Sequence, residues 1–343
     1  MTRNLVLALG LACGLGTLAT GQQAAAQNAE EAYFKGKSIK MIVGYGPGGG
    51  YDAYARMLAP YLGKAIGGTV VVENQPGAGG LTALDRIYAA PPDGLQIMIV
   101  NGTAASMAQL LGETAVRYDL AKIGYLGIVS ASPWVWLVDP KSKIQTPADA
   151  MKPGVKLRWS ATGPIDGLSD GAAFTCEALH LSCQIIMGYA GTSEAAHAVG
   201  SGEMDALYVS DTSANNYVRS AEARAVASMG RVKSRFFPDK PTIFEAVKLS
   251  PDQQWWFDFR ANVDNLGRIM VVPPNLPPAR LAFLQSAVKK VLSDPKVIAE
   301  GEKTQRYIDY QDPETTKKMA VAVVGSLSDE QRKKVKAVVE QKQ

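Results

Sequence analysis

Short apolar runs alternate with amphipathic stretches along the first third of the chain. The runs SIKMIVGY, GTVVVEN and GLQIMIVNG predict strands, because each is short, contains β-branched residues and is bounded by glycine or polar residues. The stretches 52–65, 81–90 and 103–111 predict helices, the first with apolar residues near a 3.6-residue spacing. Three strand–helix units in succession predict a parallel sheet with helices on its faces.

The same alternation begins again after residue 150. Four further runs predict strands, LRWSATGP, CQIIMGY, MDALYVS and ARAVASMG, and PWVWLV, which precedes them, also predicts a strand with Trp134 and Trp136 on one face. The segment 235–257 is dense in proline and aromatic residues and is expected to be irregular, and RIMVVPPNLPP predicts a last strand. Helices are predicted between and after these strands at 169–179, 193–200, 212–220, 279–293, 295–303 and 312–340. The pattern predicts two α/β units followed by a helical tail.

The loops that follow the strands share one kind of chemistry. They combine glycines with hydroxyl and amide side chains, and they lead into predicted helices. Ligands of open α/β sheets bind beyond the carboxyl ends of the strands. Free backbone amides at helix N-termini attract anions, so these loops favour a carboxylate ligand that needs no lysine or arginine. A glycine-rich turn also suits any tight connection, and Asp52 also fits a helix N-cap.

The loop GYGPGGGYDAYARM contains G-x-G-x-x-G as Gly44, Gly46 and Gly49. This spacing is the fingerprint of a dinucleotide-binding turn, and Glu73 ends the next strand, where a ribose-binding acid would lie. Against this function, Pro47 interrupts the loop and a second glycine loop, ENQPGAGG, includes the acid and extends beyond it. An exported NAD(P)-dependent oxidoreductase is therefore kept as an alternative.

Catalytic and metal-binding signatures are sparse in the sequence. The two histidines, His180 and His197, belong to no H-x-x-x-H motif and have no C-x-x-C motif near them, so metal binding is not expected. Neither G-x-S-x-G nor G-x-x-x-x-G-K-[ST] occurs. The sequence therefore predicts a protein that is not an enzyme and that uses no cofactor.

Composition indicates a folded protein with a substantial core and an export signal. Hydrophobic residues make up 47% and charged residues 20% of the 343, and a net charge of +4 without a basic stripe does not favour nucleic acid as a partner. Residues 1–26 predict a signal peptide cleaved near Ala26, which places the mature chain in a bacterial periplasm. In that oxidising compartment Cys176 and Cys183 either form a disulfide or remain two small buried thiols.

Three motifs follow one another in the first unit: IVGYGPGGGYDAYARMLAPYL, TVVVENQPGAGG and PPDGLQIMI. Their order and content resemble the Bug-type solute receptors of tripartite tricarboxylate transporters. The segments GYAGTSEAAHAVGSGEMDALYVS, KPTIFEA and VVPPNLPPARLAFLQSAVKKVLSDPKV resemble later parts of the same family. The resemblance covers nearly all of the mature chain.

This resemblance implies a type II periplasmic binding protein fold, with two Rossmann-like α/β domains, a hinge and an interdomain cleft. Domain 1 would comprise 34–133 and 262–343, and domain 2 would comprise 134–261, with the hinge near 131–138 and 255–265. The implied function is a periplasmic receptor, expected to be a monomer, that captures a small carboxylate for membrane permease subunits. An accessory receptor for a two-component sensor is a second alternative.

The resemblance and the loop chemistry together assign the ligand contacts. Tyr45 and Gly46 depart from the family's Pro-Phe-x, and Asp166 and Asp170 add acids that could repel a carboxylate or accept an amine or hydroxyl. Trp159 precedes the SATGP loop and belongs either to the cleft or to the core. The predicted ligand contacts are Tyr45, Gly46, Gly48, Gly49, Gly50, Tyr51, Asp52, Asn101, Thr103, Thr162, Gly163, Ser169, Tyr189, Gly191 and Asp211.

Overall fold

Two five-stranded sheets divide the chain. The computed structural model describes residues 27–48, 50–114, 116–131, 133–163, 166–189, 191–325 and 327–341. The predicted signal peptide, 1–26, and Gly49 of the first loop lie outside the described residues. Residues 27–34 form helix α1 in front of the first strand.

The first sheet combines parallel strands with one strand that returns from the second unit. Its strands are β1 (Ser38–Val43), β2 (Thr69–Asn74), β3 (Gln96–Asn101), β4 (Gly124–Ser130) and β10 (Arg268–Val272), in the order β2-β1-β3-β10-β4. β1 pairs in parallel with β2 and β3, whereas β10 is antiparallel to β3 and β4. The prediction of a parallel sheet is confirmed for the three strands from which it was made, and β10, which that prediction did not include, is antiparallel because the chain enters this sheet again in the reverse direction. β4 has no counterpart among the predicted strands.

The second sheet repeats this arrangement. Its strands are β5 (Trp134–Val138), β6 (Lys156–Ser160), β7 (Ser182–Ile186), β8 (Ala206–Ser210) and β9 (Arg224–Ser228), in the order β7-β6-β8-β5-β9. β6 is parallel to β7 and β8, and β5 is antiparallel to β8 and β9. A disulfide joins Cys176 to Cys183 of β7, with their Cα atoms 6.2 Å apart.

Helices cover the faces of both sheets. Beyond α1 they are α2 (Gly50–Ile66), α3 (Leu81–Tyr88), α4 (Gly102–Leu111), α5 (Pro147–Ala150), α6 (Gly167–Leu179), α7 (Thr192–Gly200), α8 (Asp211–Arg219), α9 (Ile243–Ala246), α10 (Pro251–Asp264), α11 (Pro278–Leu292), α12 (Pro295–Lys303), α13 (Pro313–Gly325) and α14 (Asp329–Glu340).

Helix α10 begins inside the segment 235–257, so the prediction of irregular structure is wrong for 251–257, as it is for helix α9 (Ile243–Ala246). Gln253 donates its backbone N–H to the Ser250 hydroxyl over 3.3 Å, and its side-chain oxygen accepts from the Ser250 N–H over 2.8 Å. Pro251 follows at the first helical position, where the missing N–H is not needed. This capping box starts a helix that buries Trp256 in the core. The proline that suggested irregular structure is part of a helix start.

The segment 312–340 forms two helices instead of the single one predicted. Helix α13 ends at Gly325, and α14 begins after Ser328, whose hydroxyl accepts a hydrogen bond from the Gln331 N–H. The Gln331 side chain accepts one from the Ser328 N–H in return. This second capping box redirects the chain, so that α14 packs against α6 and α4.

One hydrophobic core continues from the first sheet to the second along α10. It includes Val100 of β3, Phe259 of α10 and Trp136 of β5. Trp159 is fully buried in the same cluster, 5.1 Å from Trp136 between ring centres, and so belongs to the core. Separate clusters lie on the opposite faces of the two sheets.

The chain passes between the sheets beside Ala131 and again at 265–267. Gly267 has a φ of 44°, and a Cβ at this position would lie 2.2 Å from the Ser130 carbonyl oxygen. The two crossings therefore touch, and glycine is required where they meet. The hinge segment predicted at 255–265 falls mostly on helix α10, so the second crossing lies just beyond it.

Candidate functional site

A cavity of about 300 Å³ lies between the two sheets, where their strand ends meet. Its lining comes from the ends of strands such as β3, β4 and β8 and from the starts of β5 and β10. Because β5 and β10 run antiparallel to their neighbours, their first residues lie at the same edge as the carboxyl ends of the other strands. The lining residues are Tyr45, Tyr51, Asn101, Thr103, Ser130, Trp134, Thr162, Asp166, Gly167, Leu168, Thr192, Val209, Ser210, Ser213, Asp264, Gly267 and Arg268.

Some of the predicted ligand contacts line this cavity and others do not. Those that line it are Tyr45, Tyr51, Asn101, Thr103 and Thr162. Gly49 lies outside the described residues, and the following do not line the cavity: Gly46, Gly48, Gly50, Asp52, Gly163, Ser169, Tyr189, Gly191 and Asp211. Direct contact between a ligand and any of the fifteen stays a prediction.

Tyr45 and Asn101 form a polar pair on the first-sheet side. The Asn101 side-chain amide donates to the Tyr45 hydroxyl over 3.1 Å, while its oxygen caps α4 by accepting from the Ala104 N–H. The Tyr45 ring stacks on Tyr51, with 4.7 Å between ring centres. Burial raises the pKa of Tyr45, so its hydroxyl stays protonated. Since this oxygen already accepts from Asn101, its own proton is available to a ligand.

Asp52 supports the glycine loop from beneath. Its carboxylate accepts hydrogen bonds from the Gly48 N–H at 2.9 Å, the Asn74 amide at 3.0 Å and the Arg56 Nε at 2.9 Å. The hydrogen bond from Arg56 is the main reason why the pKa of Asp52 is lowered to about 2. Asp52 lies in the first turn of α2 after Gly50, so it is not the N-cap of that helix. Its carboxylate shapes the loop and does not line the cavity.

Asp166 organises the loop on the second-sheet side. It is the N-cap of α6, and its carboxylate accepts from the N–H groups of Thr162, Gly163 and Ser169 at 3.1, 2.7 and 2.8 Å. The Thr162 hydroxyl also donates to it. Gly163 and Ser169 therefore serve this loop through their backbone amides, and Asp166 is already hydrogen-bonded by its own loop.

The remaining predicted contacts of the second unit do not line the cavity. The Tyr189 hydroxyl donates to Glu203 over 2.9 Å, and burial is the main reason why its pKa is raised to about 12. Gly191 is the N-cap of α7, and its neighbour Thr192 lines the cavity instead. Asp211 is buried and accepts from the Ser234 hydroxyl at 3.0 Å.

Arg268, the first residue of β10, is missing from the predicted contacts although it lines the cavity. Its guanidinium carbon lies 5.0 Å from the ring centre of Tyr51 and 4.6 Å from that of Tyr54. Within the described ranges it forms no ion pair, and its Nε is buried without a hydrogen-bond partner. A charged residue that opens an otherwise apolar strand directly after a glycine is the sequence signal that could have identified it.

A buried ionic cluster lies behind the cavity. Asp264 accepts from the Tyr208 hydroxyl at 2.7 Å and from the Arg260 Nη2 at 2.6 Å, and Asp170 lies 3.9 Å from the same guanidinium. Burial raises the pKa of Asp264 to about 6 despite Arg260. Trp134 stacks on Tyr208 with 5.2 Å between ring centres and so separates part of this cluster from the cavity.

The geometry does not support a dinucleotide site. Glu73 pairs with Lys40 at 2.9 Å on the edge strand β2 and does not line the cavity. In the part of the chain that the structure describes, no group of three or more metal-binding side chains occurs. No helix within the described ranges is long and apolar enough to cross a membrane.

Comparison with known proteins identifies the family. The model for the tripartite tricarboxylate transporter family receptor matches residues 54–341. A UPF0065 protein of Bordetella pertussis is 25% identical over 279 residues, which cover 80% of this chain and 82% of that protein. The periplasmic binding protein BugD superposes with a TM-score of 0.67 at 22% identity, covering 87% of this chain and 97% of BugD. MatC from Rhodopseudomonas palustris, solved with bound malate, superposes with a TM-score of 0.64 at 20% identity, covering 88% of this chain and 98% of MatC.

These comparisons confirm two predictions. The solved structures share the two-domain, type II-like periplasmic binding protein fold that the motifs implied. The matched region begins inside helix α2 and runs through α14, so it includes every strand except β1 and all of the cavity lining except Tyr45 and Tyr51. The chain belongs to the family of tripartite tricarboxylate transporter receptors.

Proposed function

We propose that this chain captures a small organic acid between its two sheets and delivers it to the membrane permease of a tripartite-type transporter. Family membership supports the receptor role. MatC, which has the same fold, was solved with an acid, malate. The proposal assigns the cavity to the carboxylate and assigns no covalent chemistry to the protein.

The observation that carries this proposal is the convergence of helix N-termini on one cavity. The first turns or N-caps of α2, α4, α6, α7 and α8 all contribute lining residues. Each helix N-terminus carries a partial positive charge and free backbone amides, which favour an anion. Because these helices come from both sheets, an anion between them would be held by both units.

Ligand capture would use hydrogen bonds supplied from the two sides. Tyr45 and Asn101 contribute from the first sheet, and Ser210 and Ser213 contribute hydroxyls from the second. Each charge-assisted hydrogen bond to a carboxylate contributes roughly 1.5–3 kcal/mol. Closure would proceed by rotation about the two crossings, beside Ala131 and at 265–267, as in other hinged binding proteins.

The proposal extends to compartment and partners. Residues 1–26 would be cleaved near Ala26 on export, and the mature chain would act as a monomer in the periplasm. The permease would recognise the receptor with its ligand bound. Light scattering of the mature protein should give the mass of one chain, and deletion of its gene should abolish uptake of the acid that it binds.

The direct test is ligand binding by the mature chain. Thermal-shift screening followed by calorimetry should find an organic acid that stabilises the protein, while the corresponding neutral amide does not. Ser213→Ala should weaken binding of that acid, whereas Ser201→Ala, outside the cavity lining, should not. Equal stabilisation by the amides, or stabilisation by NAD(H) and by no acid, would refute the proposed function.

A further inference from the structure

Three charged side chains line the described part of the cavity: Asp166, Asp264 and Arg268. The two carboxylates already have partners. Asp166 accepts hydrogen bonds from its own loop, and Asp264 pairs with Arg260 at 2.6 Å. Arg268 pairs with neither of them, nor with any other carboxylate among the described residues. Its surroundings are the Tyr51 and Tyr54 rings, which supply no negative charge.

We propose that Arg268 is the ion-pair partner of a ligand that carries a single carboxylate, and that the rest of the bound molecule is uncharged. This inference rests on the proposed function and specifies its ligand class. It departs from the sequence-based expectation of a carboxylate held without lysine or arginine. A guanidinium presents paired donors that match the two oxygens of one carboxylate.

The charges around the cavity favour a ligand with one carboxylate over a ligand with two. The count of charges includes the cavity lining and the buried ionic cluster next to it. The positive groups are Arg260 and Arg268. The negative groups are Asp166, Asp170 and Asp264. One carboxylate would neutralise Arg268. A second carboxylate would have to give up its water in a cavity where the lining offers it no cation, and this desolvation is costly.

The rest of the lining suits uncharged groups. Ser130, Ser210 and Ser213 present hydroxyls, and Tyr45 and Trp134 present rings as well as polar atoms. Such groups can bind the hydroxyl, carbonyl or ring portion of an acid without a further charge. The cavity is therefore polar at several points, and among its described lining residues one positive charge, on Arg268, lacks an ion-pair partner.

Calorimetry with matched ligands tests the charge limit directly. Adipate, terephthalate and malate are compared with their monomethyl esters, which keep the carbon skeleton and remove one charge. On the mature wild-type chain, the tightest-binding ester should bind at least about tenfold more tightly than its diacid, because the second carboxylate lacks a partner. Asp166→Asn, which keeps a good N-cap residue but removes a negative charge, should narrow that ratio.

Variants of Arg268 test the ion pair. Arg268→Gln should weaken the binding of the monoester by about 10- to 100-fold, since a charge-assisted contact is lost, and Arg268→Lys should recover part of that loss. Arg117→Gln removes the same charge from an exposed position outside the cavity lining and should change the affinity less than about twofold. Circular dichroism checks that each variant is folded. If Arg268→Gln does not fold, the comparison of esters with diacids on the wild type still tests whether the cavity accepts only one carboxylate.

The possible outcomes separate this inference from the proposed function. If the diacids bind as tightly as their esters, or if Arg268→Gln binds the acid as the wild type does, the inference is wrong and the receptor function stands. If none of these acids or esters binds while a broader organic-acid screen also fails, both are wrong. Preference for the monoester together with loss in Arg268→Gln supports both.

Discussion

Asp52 stabilises the first loop by accepting several hydrogen bonds at once. It joins the Gly48 amide, the Asn74 side chain and the Arg56 guanidinium beneath a loop that contains three consecutive glycines. A loop of this composition gains little rigidity from its own side chains. The carboxylate therefore fixes the position of Tyr45 indirectly, because Asn74 also donates to the Tyr45 carbonyl oxygen at 2.9 Å.

Replacing Asp52 by Asn should destabilise the protein by about 1–2 kcal/mol at pH 7, after allowance for screening of the exposed Arg56. The folded pKa of about 2 lies below the unfolded value of 3.8, so this stabilisation is complete above pH 4 and is lost as the pH falls through 2. Urea unfolding at a series of pH values should show that the difference in the free energy of unfolding between wild type and variant disappears as the pH falls through that range. Glu314→Gln, which removes a carboxylate from an exposed ion pair, is the control and should change the free energy of unfolding little. A difference between wild type and Asp52→Asn that does not depend on pH would contradict the stabilising role of the Asp52 carboxylate.

At the scale of the elements, the meeting of the two interdomain crossings determines the shape of the cleft. Gly267 O accepts from the Gly102 N–H at 2.9 Å, which ties the second crossing to the start of α4. The same residue packs against the carbonyl of Ser130, which ends β4 just before the first crossing. A side chain at Gly267 would collide with the Ser130 carbonyl oxygen, and both residues line the cavity.

Gly267→Ala should cost at least about 2 kcal/mol, from the left-handed backbone together with the clash at Ser130. Gly154→Ala provides the matched control, since Gly154 has a φ of 82° but nothing within 4 Å of an added Cβ. It should cost only the backbone term of roughly 1 kcal/mol. Equal losses for the two variants, measured by urea unfolding, would show that the contact between the crossings adds nothing.

At the scale of the whole molecule, a lateral contact joins the two units beside the cleft. Arg235, after β9, pairs with Asp309 at 2.5 Å, and the Phe236 ring meets Tyr307 with 5.0 Å between ring centres. Asp309 donates its N–H to Val129 O of β4, so the contact is anchored to the first sheet. This contact can exist only while the two sheets keep their present separation.

Arg235→Ala combined with Phe236→Ala should therefore shift the ligand-free protein towards a more open form. X-ray scattering should give a larger radius of gyration, and saturating ligand should reverse the change. Affinity should fall a few-fold, since closure must then be achieved by ligand contacts alone. Arg231→Ala is the control, because its partner Asp258 lies on helix α10 rather than beside β4. An unchanged radius in the double variant would exclude a closing role for this contact.

The sequence by itself determined the local elements and the region of the cleft. Hydrophobic periodicity depends on neighbouring residues, so nine of the ten strands could be placed, together with the strand-end loops that hold Tyr45, Asn101 and Thr162. The family motifs are also local, which is why they predicted the two-domain fold. Two capping boxes, at Ser250 and Ser328, are present in the sequence and mark helix starts. They were missed because the first lies in a proline-rich segment and the second interrupts a long amphipathic pattern.

Only the tertiary structure decided which side chains face the cavity and which charges remain unpaired. Asp52 and Asp166 have side chains that often contact ligands, but their carboxylate oxygens accept hydrogen bonds from protein groups that the fold brings near. Arg268 looked like an ordinary strand residue, and it enters the cleft because β10 inserts antiparallel between β3 and β4. Charge compensation depends on distances between residues far apart in the chain, and no local pattern in the sequence contains those distances.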